Sequence, residues 1–183
     1  MNGYNRESAQ ASRRGRANRD EGAIFERIIS ASCEYYRTAG LADIEKTPEP
    51  FRITRQLEQG KFIGHFAKKA QPDFQGCIKG GQSIVFDAKA TSTDKIPTSA
   101  LTDVQREILL RRDLLGAISG VLMCYGFKTF AFVPIQTFLN AKKLNGHQHW
   151  TADEACQYGS KVEYKGGRLR FLPDTQRIYK IGE

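Results

Sequence analysis

Asp73 follows Pro72, and Asp87 and Lys89 stand two apart in the run Ile84-Val85-Phe86-Asp87-Ala88-Lys89. Side chains alternate faces along a strand, so Ile84, Phe86 and Ala88 share one face of this run and Asp87 and Lys89 the other. Gly80-Gly81 lies between as a turn, which makes residues 73–90 a β-hairpin. If Asp73 begins the antiparallel neighbour, its carboxylate approaches Asp87 near the strand end. Two carboxylates converging beside one ammonium form a site for Mg²⁺ suited to phosphodiester chemistry. The competing reading is an ordinary strand with one polar face, since Asp-x-Lys also arises by chance.

Several elements must position these residues. Ile24, Phe25, Ile28, Ile29, Cys33 and Tyr36 recur at helical spacing, with Asp20 as a start and Gly40 as a stop. Glu26 lies at the edge of that stripe, as a solvated flank or a carboxylate reaching a cleft, and Glu21 competes with it. A short strand is expected at 43–47, ended by Pro48 and Pro50. A loop at 91–100 leads to a helix that Thr102 starts and Gly116 ends, with Val104, Ile108, Leu109 and Leu115 as its buried stripe. Gln105 stands three residues after Thr102, the spacing of a reciprocal cap. Residues 118–125 and 128–134 read as apolar strands around Gly126, the first of them buried and central. Further on come a short helix or turn at 135–143, a loop at 145–150, a helix opening at Thr151, and a closing hairpin around Gly166-Gly167. The order is that of one mixed α/β domain.

The chain has 183 residues and a formal charge of +8, which favours an anionic partner, nucleic acid first. It contains no apolar run long enough to span a membrane, and its basic N-terminus lacks the apolar segment of a secretory signal. Cys33, Cys77, Cys124 and Cys156 are scattered and read as reduced, buried thiols of a cytoplasmic protein. His147 and His149 have no neighbours that complete a zinc set. Residues 1–19 carry Arg6, Arg13, Arg14, Arg16 and Arg19 with almost nothing apolar. They read as a disordered basic arm that contacts DNA phosphates or merely solubilises. Residues 51–70 interleave Arg52, Arg55, Lys61, Lys68 and Lys69 with Phe51, Ile53, Phe62, Ile63 and Phe66. Such a mixture fits a projection resting on nucleic acid and equally a helix–turn packed on the body.

A helix bearing Glu26, then Pro72-Asp73, then Asp87-Ala88-Lys89 on a strand, then a helix and a buried strand resembles the PD-(D/E)xK, or restriction-endonuclease-like, nucleases. Asn18-Arg19 with Gly22 and Glu26 looks like the opening of the RecU-type Holliday junction resolvases, and Asp103-Val104-Gln105 resembles their Asp-x-Gln segment. The basic insertion, residues 47–71, stands where that branch carries its stalk. Asp87 departs from the Glu usual in the branch, and the Gly after Asn-Arg is displaced. The resemblance implies a restriction-endonuclease-like mixed sheet flanked by helices, with a nuclease domain at 20–183.

It also implies roles. Asp73, Asp87 and the Ala88 carbonyl would bind Mg²⁺ or Mn²⁺, with Glu26 holding metal or its water. Lys89 would hold or help deprotonate the attacking water, and Gln105 would orient water or phosphate. The expected function is a metal-dependent, structure-selective endonuclease of DNA recombination and repair. It would act as a homodimer on four-way junctions, in the cytoplasm of a bacterial or phage-infected cell. The alternatives are a related nuclease acting on flaps, forks or duplex DNA, and an inactive DNA-binding relative.

Overall fold

The computed structural model of the chain describes residues 4–48, 51–66 and 71–172. Helix α1 (Tyr4–Thr38) is followed by β1 (Ala42–Lys46), β2 (Phe51–Gln56), β3 (Phe62–Phe66), β4 (Phe74–Ile78) and β5 (Ser83–Thr91). Then come β6 (Lys95–Pro97), a 3₁₀ turn (Thr98–Ala100), α2 (Asp103–Leu114), β7 (Ile118–Tyr125) and β8 (Thr129–Pro134). The remainder is α3 (Ile135–Leu139), α4 (Ala141–Asn145), β9 (His149–Thr151), α5 (Ala152–Tyr158), β10 (Ser160–Lys161), β11 (Glu163–Lys165) and β12 (Arg168–Arg170).

Phe25, Ile29, Cys33 and Tyr36, three or four residues apart, form the buried face of α1. The helix stops where expected. Gly40 takes a φ of 66°, Gly40 N–H donates to Arg37 O and Leu41 N–H to Tyr36 O, the paired bonds of a Schellman end. Its start differs from the expected Asp20. The backbone is helical from Tyr4, so residues 4–19, expected as a disordered arm, continue the helix. Arg, Ala, Gln and Glu favour that conformation and no proline interrupts them. Ser32, buried within the stripe, accepts from Leu169 N–H, and Tyr36 Oη donates to Leu169 O at 2.7 Å. These bonds fasten the β11–β12 hairpin to α1.

The central sheet has the order β1-β4-β5-β7-β8-β10. Only the β5–β7 pair is parallel, and that pairing requires a crossover, which β6 and α2 supply. Ile84, Phe86, Leu122 and Cys124 pack toward α1. Val85, Val121 and Met123 pack on the opposite face with Leu109, Phe138 and Trp150. The fold is therefore a mixed sheet flanked by helices, with β7 as its buried central strand. Gly76 lets β1 approach β4 closely, because a Cβ there would fall 2.0 Å from Asp43 O.

The insertion is a β2–β3 hairpin with every residue of β2 exposed, which replaces the alternative of a packed helix–turn. Thr47 N–H donates to Asp73 O at 2.8 Å, so the two ends of the insertion meet beside Asp73. Three other expectations change. Of the stripe expected on α2, Leu109 is buried while Val104 and Leu115 are exposed; the helix instead turns Gln105 inward. Cys77 is exposed, and Cys156 is only half-buried. The loops at 91–100 and 145–150 contribute β6 and β9, which pair through Ile96 and Trp150; three-residue strands are too short to show a period of two.

Candidate active site

Asp87 is fully buried at the middle of β5, just past the last residue paired with β4. Lys89 lies two residues on, on the same face, and its Nζ meets Asp87 Oδ2. From α2, Gln105 Nε2 donates to Asp87 Oδ1 at 2.5 Å. The other end of that amide is occupied, since Gln105 Oε1 accepts from Thr102 N–H at 3.0 Å and from Thr102 Oγ1 at 3.1 Å. With its oxygen committed to two donors, the amide has only its nitrogen to offer Asp87. Capping and orienting are thus one job done by one side chain.

Asp73 is recruited by the end of a ladder. Strands β4 and β5 pair from Cys77↔Ser83 to Phe74↔Phe86. Beyond that point Ala88 N–H has no backbone partner on β4, and Asp73 Oδ2 accepts from it at 3.0 Å. A residue's N–H and C=O leave a strand on the same side, so the Ala88 carbonyl also points past the head of β4. The Asp87 carboxyl is pushed up to about 7, by burial first and by the charge of nearby Asp73 second, with Lys89 opposing both. Two carboxylates against one ammonium leave an excess of negative charge in a buried place. An all-oxygen set of Asp73, Asp87 and the Ala88 carbonyl fits a hard divalent cation. No cluster of three His, Cys, Asp or Glu side chains occurs among the described residues, so a cation here would keep several waters, as Mg²⁺ commonly does.

Glu26 reaches its neighbourhood from α1, where its Oε2 pairs with Lys46 Nζ at 2.6 Å. Lys46 went unrecognised in the sequence. Its signal was present: Ile44-x-Lys46 puts Lys46 on the core face of β1 at the strand end, next to Thr47. Glu21, the competitor of Glu26, lies near Cys124 at the end of β7. Arg52, Arg55 and Lys61 are exposed on the hairpin, and Arg19 is exposed on α1. Lys68 and Lys69 lie outside the described residues, as do the side chains of Arg13, Arg14 and Arg16. His147 and His149 stack at 3.7 Å, and His147 Nε2 meets Glu154 Oε1 at 3.0 Å.

Comparison with known proteins adds four findings. The Holliday junction resolvase RecU of Streptococcus pneumoniae (strain Hungary19A-6) is 38% identical over 80 residues, covering 41% of this chain and 39% of that protein. The chain thus matches less than half the length of this relative. The Holliday junction resolvase RecU of Bacillus pumilus (strain SAFR-032) is 26% identical over 149 residues, 76% of this chain and 72% of that protein. The solved structure of Archaeoglobus fulgidus Hjc, a Holliday junction resolvase, superposes with a TM-score of 0.49 at 15% identity, covering 76% of this chain and 95% of that one. The sequence profile of Recombination protein U matches residues 20–177. With most of its length matched by that profile, the chain belongs to the RecU family.

Proposed function

We propose that this protein is a divalent-metal-dependent endonuclease that resolves four-way DNA junctions by paired nicks. The observation that carries the reading is the buried Asp87, gripped by Lys89 and Gln105, with Asp73 placed beside it at the root of an exposed basic hairpin. Family membership and the names of the relatives support the substrate class.

Asp73, Asp87 and the Ala88 carbonyl would hold Mg²⁺ or Mn²⁺, which supplies Lewis-acid stabilisation of the phosphate charge. Lys89 holds a proton and a positive charge at the edge of the site, where it meets attacking water and the phosphorane oxygens. Gln105 fixes the Asp87 carboxyl in one orientation. Glu26 keeps Lys46 directed along the α1 side of the sheet end. The β2–β3 hairpin presents Arg52, Arg55 and Lys61 to the DNA backbone, with Lys68, Lys69, Arg13, Arg14, Arg16 and Arg19 adding charge. A homodimer supplies the second active site that paired cuts require.

The test is a side-by-side assay on labelled four-way junctions, flaps and plain duplexes with Mg²⁺. Selective cutting of junctions by the wild-type protein, lost in Lys89→Ala with junction binding retained, supports the reading. Preference for plain duplex rejects junction resolution, and no cutting of any substrate leaves a DNA-binding relative.

A further inference from the structure

A polar cavity lies beside α2, the helix that carries Gln105. It measures about 390 Å³ and is lined by Thr98, Ser99, Arg106, Leu139, Lys142 and Gln148. Arg106 follows Gln105 on α2, so one turn of helix serves both places. The Arg106 guanidinium is held by Thr98 O, which accepts from Nη2 at 3.0 Å, and more loosely by exposed Asp103 at 3.5 Å. Its Nε is buried and has no hydrogen-bond partner among the described residues. Such a donor is costly to leave unmet, and an incoming anion meets it with a charge-assisted bond. Lys142, from α4, is exposed and forms no ion pair among the described residues. Thr98 is anchored to Gln148 O through its own N–H and Oγ1, which fixes the wall of the cavity and with it Thr98 O. No carboxylate lines the cavity. Two cationic residues and the polar Ser99 and Gln148 therefore line a space that selects for an anion.

We infer that this cavity is a phosphate subsite that seats one DNA backbone phosphate flanking the scissile bond, through Arg106 and Lys142. The inference rests on the nuclease reading, and its link to the cut is that Arg106 follows Gln105, whose amide binds Asp87, on the same turn of α2. Backbone charges recur at about 3.4 Å per strand along a duplex, so a strand lying over Asp87 and Lys89 brings further phosphates to α2.

The experiment is a scan of single neutral methylphosphonates along a four-way junction around the cut. Binding is read by fluorescence anisotropy with Ca²⁺ replacing Mg²⁺. The wild type should lose affinity on the order of tenfold at one flanking position. Lys142→Ala and Arg106→Gln should each weaken binding to unmodified DNA and show little further loss at that position. Lys142 is exposed, so its variant tests the idea even if Arg106→Gln disturbs α2. Identical profiles in wild type and both variants overturn the subsite, as does failure of the wild type to bind. Inorganic phosphate followed by the NMR signal of Arg106 Nε–H separates the sources. Saturable binding of free phosphate without coupling to any DNA position marks an adventitious ion only and overturns the DNA assignment. A wild type that shows the positional coupling in Ca²⁺ yet cuts nothing in Mg²⁺ sinks the nuclease reading and leaves the phosphate site standing.

Discussion

Groups from three elements converge on Asp87: Lys89 from its own strand, Gln105 from α2, and the charge of Asp73 from the head of β4. Burial dominates, so the carboxyl titrates near 7 instead of near 4. Two consequences follow for metal-free protein and for metal binding. Between these two values the folded state binds a proton that the unfolded state lacks, so this group's contribution is full below about 4 and is lost as pH rises through 7. Asp87→Asn should therefore flatten the pH dependence of stability over that window and melt higher than wild type at pH 8 without metal, by a few kcal/mol at most; parallel melts from pH 5 to 8 check this. Metal must displace that proton, so Mn²⁺ affinity should fall as pH drops below 7, up to about tenfold per pH unit, read by calorimetric titration. Gln105→Glu separates two roles, since Glu also completes a capping box but cannot donate to Asp87. The variant should keep α2 folded while metal affinity falls about 10- to 100-fold. Near-wild-type affinity would show that Gln105 is a cap alone.

At the scale of elements, the strand β5 was readable because its alternation is strict, and Asp87 and Lys89 share a face as the pattern required. The stop of α1 was readable from Gly40. The start of α1 was not, because residues 4–19 show no apolar stripe and helix formation there rests on propensity alone. The α2 face was misread for a related reason. Val104 and Leu115 are apolar but exposed, while the polar Gln105 is the residue turned inward, and hydrophobic pattern cannot announce a buried amide. Packing between β1 and β4 depends on a residue with no side chain. Gly76→Ala should cost about 1–3 kcal/mol by forcing backbone apart, seen as a lower urea midpoint with unchanged slope. The hairpin is built for solvent-side work, its β2 residues being exposed throughout. Changing Arg52, Arg55 and Lys61 together to Ala should weaken junction binding and reduce the salt slope by about 0.9 for each phosphate no longer neutralised. An unchanged slope would place the hairpin away from DNA.

For the whole molecule, the decisive fact is that one sheet end gathers residues far apart in the chain. Thr47 N–H to Asp73 O closes the base of the insertion, and Asp73 then replaces a missing rung beside Ala88. Motif spacing pointed to Asp73, Asp87 and Lys89, and resemblance added Gln105 and Glu26. Lys46 showed only its place on the core face of β1, with its partner Glu26 hidden, and Arg106 was not legible, since it gains meaning only from the Thr98 carbonyl on another element. Among the described residues no helix is long and apolar enough to cross a membrane, and the charge of +8 belongs to a surface suited to polyanions. A nuclease of this design needs one cation shared by Asp73 and Asp87, and anomalous diffraction from crystals soaked in Mn²⁺ reads its place directly. A peak within coordination distance of oxygens from both Asp73 and Asp87, beside Lys89, is the expected result. A fully loaded crystal with its Mn²⁺ elsewhere and none between those two carboxylates, from protein that still cuts junctions, would contradict it.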